Sequence, residues 1–291
     1  MIHITEVGPR DGLQNENQIL SIEQRCAFIE KLIVAGAKQI EVASFVNPKL
    51  VPQMDGAEAL VEQLPKSEEV IYKGLVLSPS GFSRFLQTSL THVQFSFAIS
   101  NTFNERNIRR TTEQALEETM KMIEQAKVNR IHTNVILGTV YGCPFEGAID
   151  LVASTKIATK LIQAGADEIT YADTIGIANP VSITKSIQLF QAANDDFPLA
   201  LHLHNTRGRA LANALVAIQH GIRRFDTSIA GIGGCPFSPN AVGNICTEDF
   251  VSMIKEMGFE SMIHLSEYVQ VARWIEKKLD RRLEGMVMKL V

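Results

Sequence analysis

Cysteine is scarce. There are four in 291 residues (Cys26, Cys143, Cys235 and Cys246), with no C-x-x-C spacing among them. So few and so scattered, they exclude a disulfide framework, and any special thiol must be argued from its neighbours. No window approaches the roughly 18 uninterrupted apolar residues of a membrane span. The start, MIHITEVG, lacks a basic leader and an apolar signal core, so a cytoplasmic protein without membrane association is the expectation. Long basic runs are missing too. Net charge is −4 with both signs dispersed, which argues against a nucleic-acid partner. The densest basic patch, Arg106, Arg109 and Arg110, reads as a solvated helix start and would suit a small anionic ligand equally well. No G-x-G-x-x-G follows the first apolar run, which leads instead into GPRDG.

What is present is regular alternation. At 45% apolar residues the chain can bury a large core. Candidate strands are His3 to Val7, Gln39 to Ala43, Val70 to Val76, His92 to Phe97, His132 to Leu137, Glu168 to Tyr171, Leu199 to Leu203 and Arg224 to Ile229. Between them, segments such as Ile22 to Val34, Thr112 to Gln125, Leu151 to Gln163, Val181 to Ala193 and Ala210 to Gln219 carry apolar residues at helical spacing. Eight strands in such order predict an α/β fold of the (β/α)8 barrel type. A doubly wound sheet is the alternative.

The fragments AGAKQIEV, AGADEITY and HGIRRFDT each place a glycine where a helix should end, just before an apolar strand. Thr247 to Glu256 reads as the last barrel helix and Ser266 to Leu279 as an additional C-terminal helix. The expected organisation is a barrel over residues 1–260 and a helical appendage on it over 261–291.

Barrel chemistry gathers at the C-terminal strand ends, and polar residues fall there. The seventh strand, in LHLHNTRG, delivers His202 and His204 two residues apart, so both imidazoles emerge on one face. That is a metal-ligand pair or a pair of satisfied core histidines. The first strand end supplies Arg10 and Asp11, the second Glu41 and Ser44, the fourth Ser100 and Asn101, the sixth Asp173 and Thr174. After the eighth comes GIGGCPFSPNAVGNICTED with Cys235, Asn244 and Glu248.

Asp11, His202, His204 and Asn244 form an oxygen and nitrogen set without thiolate, suited to Mg²⁺ or Mn²⁺ with open positions. Asp11 before Gly12 also fits an Asx turn, and Asn244 a helix cap. Cys235 lies among glycines that could bring it to a substrate, whereas buried cysteines are commonly small hydrophobes. Cys143, in YGCPFEG, has a similar setting, and context does not rank the two.

With EVGPRDGLQNE, EVASF, GCPFEG, ADTIG, LHLHNTRGRALAN and GIGGCPFSPNAVGNICTED in order, the chain resembles the hydroxymethylglutaryl-CoA lyases. These are metal-dependent barrel lyases related to isopropylmalate and homocitrate synthases and to 4-hydroxy-2-oxovalerate aldolase. The resemblance spans Ile4 to about Phe250. It implies metal ligation by Asp11, His202, His204 and Asn244, catalytic roles for Arg10, Glu41 and Cys235, and a substrate contact by Arg10 and Asp173. It also implies an acyl-CoA substrate cleaved by a reverse Claisen reaction, with Cys235 protonating the departing carbanion. The base that takes the alcohol proton stays open among Glu41, Asp11 and a histidine.

This chain has Asn101, Asn205 and Asn240 where the family usually has Glu, Asp and Gly, and Ser78-Pro79-Ser80 where it has T/V-P-N. These departures bear on which acyl group is taken: a related 3-hydroxy-3-alkylglutaryl-CoA, or an aldolase's simple hydroxy-oxoacid, is the alternative. A catalytically silent metal- and acyl-CoA-binding homologue is a rival. A metallohydrolase barrel fits less well, because its H-x-H usually follows the first strand. Barrels of this kind commonly pair, so a homodimer is expected.

Overall fold

The computed structural model describes residues 1–234 and 243–290. Strands β1 (His3–Glu6), β2 (Gln39–Ser44), β3 (Ile71–Val76), β4 (His92–Ala98), β5 (His132–Gly138), β6 (Glu168–Asp173), β7 (Leu199–Leu203) and β8 (Arg224–Thr227) pair in parallel. They close into a barrel in sequence order, joined by the register His3↔Arg224 to Glu6↔Thr227. The helices form the outer layer: α1 (Ile22–Val34), α2 (Ala57–Gln63), α3 (Pro79–Phe85), α4 (Asn101–Ile108), α5 (Thr112–Val128), α6 (Leu151–Ala164), α7 (Pro180–Asn194), α8 (Ala210–Gln219), α9 (Thr247–Glu256) and α10 (Leu265–Leu279).

Local chemistry sets these boundaries. Capping boxes begin α1 (Ser21 with Gln24), α5 (Thr111 with Gln114) and α7 (Asn179 with Ser182), each satisfying donors the first turn leaves unpaired. The glycines expected to stop helices do so with positive φ: Gly36 at 96°, Gly165 at 101° and Gly221 at 89°. Between core and helix layer, Phe95 on β4 meets Phe82 of α3 edge to face at 5.2 Å. The C-terminal α10 lies on α1, where Trp274 stacks on Phe28 at 5.9 Å.

Two irregularities shape the C-terminal mouth. After β1, Gly8–Gly12 forms a single π turn, with Gly12 N donating to Val7 O and Leu13 N to Gly8 O, both at 3.1 Å. Such wide turns recur at functional sites because they re-aim side chains. In β2 the register shifts between Glu41 and Ala43. This bulge lets Glu41 and Ser44, an odd number of residues apart, both face the interior. No helix among the described residues is long and apolar enough to cross a membrane.

Candidate active site

A cavity of about 240 Å³ opens at the C-terminal ends of the strands. Arg10, Asp11, Gln14, His202, His204 and Thr174 form its polar floor, and Val46, Val51, Leu75, Leu77, Phe103 and Ile136 its apolar wall.

The floor is built from both ends of the sequence. Alternation along β7 sends His202 and His204 to one side, their rings 5.1 Å apart. The π turn brings Asp11 beneath them, so that one ligand atom from each of the three lies within 4.8 Å of the others. Asn244 joins through Nδ2, which donates to Asp11 Oδ2 at 2.7 Å and to Ile232 O at 3.1 Å. Gly233 makes this approach possible. Its φ is +109°, and a Cβ there would fall 2.5 Å from Asn244 Nδ2.

The donor set fits a cation. His204 Nδ1 donates to Thr174 O at 2.8 Å, leaving Nε2 buried without a hydrogen-bond partner among the described residues; the same holds for Asn244 Oδ1. Buried polar atoms without partners are costly, and here two belong to the expected ligand set. His202 Nδ1 faces Asp226 Oδ2 at 3.3 Å while its Nε2 sits 3.8 Å from Asp11. Holding Nδ1 in this way fixes the tautomer that presents Nε2. Burial works to raise the Asp11 carboxyl, but Arg10 and the two imidazoles outweigh it and hold it at about 2. Burial, helped by His202, lowers His204 to about 4. At neutral pH the set therefore offers a carboxylate and at least one free imidazole lone pair.

Arg10 is pinned on two sides, by Glu41 Oε2 at 2.5 Å and Asp11 Oδ1 at 2.8 Å. Glu41 is fully buried and does not line the cavity. Burial pushes its carboxyl up to about 7 against the pull of Arg10.

Asp173 reaches the same mouth but is turned aside. Ala172 and Thr174 line the cavity, whereas Asp173 Oδ1 and Oδ2 accept from Ile177 N (2.8 Å) and Ala178 N (3.1 Å), closing the β6–α7 loop. Asn101 ties α4 to α5 through Thr112 N at 3.0 Å, and Asn205 accepts from Ala210 N at 3.2 Å. Neither lines the cavity.

Cys235 and Asn240 lie outside the described residues; Gly234, adjacent to Cys235 in sequence, lines the cavity. Cys143 is buried, with Sγ 2.9 Å from Ser100 Oγ, and packs beside Ala98, Phe103 and Ile175, away from the floor. Asp226 escapes a sequence reading. In RFDT it looks like any strand residue, and only the β7–β8 register His202↔Asp226 makes it a partner.

The HMGL-like family model matches residues 1–275. (R)-Citramalyl-CoA lyase of Chloroflexus aurantiacus is 36% identical over 99% of this chain and 94% of its own. Hydroxymethylglutaryl-CoA lyase of Pseudomonas mevalonii is 37% identical over 96% and 92%. An HMG-CoA lyase of Acinetobacter baumannii, solved with coenzyme A and 3-methylmalate, superposes with a TM-score of 0.95 at 34% identity, covering 100% of this chain and 95% of that one. The relatives named hydroxymethylglutaryl-CoA lyase are carbon–carbon lyases, and the chain belongs with them to the HMGL-like family.

Proposed function

We propose that the protein cleaves 3-hydroxy-3-methylglutaryl-CoA to acetoacetate and acetyl-CoA, in a reverse Claisen reaction that depends on Mg²⁺ or Mn²⁺. The observation that carries this reading is the polar floor: Asp11, His202, His204 and Asn244 converge beside an arginine braced by two carboxylates, under a mainly apolar wall that also carries Ser44, Ser96 and Asn107. A second groove continues outward, sharing Val46, Leu77 and Asn107 with the cavity and flanked by Ser78, Ser80 and Arg109. An elongated thioester with an anionic tail suits that shape.

Asp11, His202, His204 and Asn244 would hold a divalent cation, which would supply Lewis-acid polarisation of the substrate's oxygens. Arg10 supplies the fixed donors for the enolate oxygen. With Nε committed to Glu41 and Nη1 to Asp11, Nη2 is left for the thioester carbonyl. Donors preorganised in this way are typically worth about 3 kcal/mol each in the transition state. Glu41 acts through Arg10, holding the guanidinium plane. Asp173 contributes by fixing the loop whose Thr174 carbonyl orients His204. Cys235 protonates C2 of the departing acetyl-CoA. A thiol with an ordinary pKa near 8.5 carries its proton at neutral pH and yields it to a strong carbon base.

A second reading is favoured by the relative from Chloroflexus: a citramalyl thioester, whose C3 bears a carboxylate directly in place of carboxymethyl. Both would use the same floor and differ by one methylene. Mass spectrometry of products from a panel of 3-hydroxy-3-alkylglutaryl-CoA and citramalyl-CoA thioesters with Mg²⁺ tests both. Acetoacetate as the main product supports the first and pyruvate the second. No cleavage of any thioester, with cleavage of a simple 4-hydroxy-2-oxoacid, overturns both. The homodimer, the cytoplasmic location and the division into residues 1–260 and 261–291 belong to the same proposal.

A further inference from the structure

We infer that Glu6 is a positioning residue for the cation site, a single buried carboxylate that sets both loops carrying its ligands and ties them to α10. The inference rests on the reading that Asp11 and Asn244 help hold a divalent cation. Glu6 ends β1 with no exposed surface. Thr5, before it, points into the barrel, where it accepts from Lys73 Nζ at 2.9 Å. Glu6 therefore points outward, into the seam between β1, β8 and the last two helices.

Four donors from four segments meet there. Oε1 accepts from Gly8 N at 2.7 Å and Ile229 N at 2.9 Å. Oε2 accepts from Thr247 Oγ1 and Tyr268 OH, both at 2.7 Å. Each donor leads to the site. Gly8 opens the π turn that carries Arg10 and Asp11. Ile229 begins the turn that leads to Ile232 and Gly233, against which Asn244 packs. Thr247 follows Asn244 by three residues and starts α9, and Tyr268 belongs to α10.

The first two donors are backbone groups, so the position of Oε1 fixes main chain on both sides of the cation site at once. Crowding at this point is severe. A Cβ on Gly8 would lie 2.6 Å from Glu6 Oε1 and 3.1 Å from Ile229 Cγ2, so a close approach to the carboxylate requires glycine there. The turn after β8 is also strained, with Ala230 at φ 54°, a conformation that persists only when its surroundings over-determine it. Two buried carboxylates do so: Glu6 grips Ile229 N, and Glu248 Oε2 grips Ala230 N at 3.0 Å.

Substitutions at Glu6 separate positioning from mere stability. In Glu6→Gln the amide oxygen can keep both backbone donors while its NH₂ meets two hydroxyls that can rotate to accept. Glu6→Ala removes every acceptor. Mn²⁺ binding to the metal-free full chain, followed by electron paramagnetic resonance well below the melting temperature, is the readout, with thermal melts alongside. Glu6→Ala should weaken Mn²⁺ by about tenfold or more, as loss of a group that orients ligands does. Glu6→Gln should stay within about threefold, and Tyr268→Phe should lose about fivefold, the worth of one hydrogen bond.

Val271→Ala, which trims the packing of α10 without touching the acid, should lower the melting temperature and leave Mn²⁺ affinity unchanged. A Glu6→Ala protein that melts earlier yet binds Mn²⁺ like wild type overturns the inference, as does Glu6→Gln impaired to the level of Glu6→Ala. Should Glu6→Ala not fold, Gly8→Ala, which displaces the same oxygen, and Tyr268→Phe carry the test, and wild-type affinity in both overturns it. Failure of the wild type to bind Mn²⁺ overturns the cation reading and this inference with it, whereas normal wild-type binding isolates the fate of Glu6.

Discussion

The barrel has a histidine pair at each mouth, and only one pair is arranged as a ligand set. At the C-terminal mouth His202 and His204 come from one strand, with Asp11 Oδ2 3.8 Å from His202 Nε2 and acceptors on both Nδ1 atoms. At the N-terminal mouth His92 and His132 come from neighbouring strands and stack at 4.9 Å around a cavity of about 70 Å³. There His92 Nδ1 meets Thr91 Oγ1 at 3.0 Å, and the carboxylate at hand, Glu168, lies 3.2 Å from Arg224. Burial, His132 and Lys73 lower His92 to about 4, close to the value of His204. Neutral imidazoles are thus available at both ends. What separates them is a carboxylate, Asp11, within 4.8 Å of both rings' ligand atoms, together with partners that dictate which nitrogen faces inward.

Removing the ligand set should have the largest effect. Chelation should abolish turnover and Mg²⁺ or Mn²⁺ should restore it. His204→Ala should lose Mn²⁺ binding in equilibrium dialysis with its circular dichroism spectrum intact; full activity of a demonstrably metal-free sample would sink the cation reading. The thiol comes next. Cys235→Ser should lower kcat by roughly 10²–10⁴ with KM little changed, as loss of a general acid does. Cys143→Ser should keep most activity, since its thiol is enclosed away from the floor, and steady-state kinetics on both variants checks the contrast.

Asp226→Asn keeps the shape but weakens the grip on His202, and should cost about 10–100-fold in Mn²⁺ affinity or kcat. At the other mouth, His132→Gln should leave kcat unchanged and move stability by about 0.5 kcal/mol or less, as exposed substitutions do. A large loss of activity there would break the comparison, because it would make the N-terminal pair part of the chemistry.

Much of this was legible in the residues, for physical reasons. Strand and helix periods differ, so β1 to β8 and the longer helices stood out, with boundaries displaced by three residues at most and helix-ending glycines where positive φ occurs. Helices α2, α3 and α4 did not stand out. At 7, 7 and 8 residues they are too short for a period to show. Among site residues, Asp11, His202, His204 and Arg10 meet as their positions at strand ends suggested, and Asn244 joins them from the segment that follows β8. Asp173 shows the limit of that logic. A strand end places a residue at the mouth, but alternation decides whether it faces the cavity, and here Thr174 does instead. Asp226 was silent because its importance lies in a cross-strand register.

The hydrogen bond between Asn244 and Asp11 joins residues 233 positions apart. Cation affinity is therefore acquired late: a nascent chain holds Asp11 early, His202 and His204 only when most of the barrel has emerged, and Asn244 after the eighth strand. Contacts of such long span form slowly, because loop closure must precede any gain from them. Since a cation binding the finished barrel favours it by mass action, the ion would act as a latch on ring closure as well as a reagent. Refolding followed by Mn²⁺ binding would then report the moment at which the last strand docks on the first.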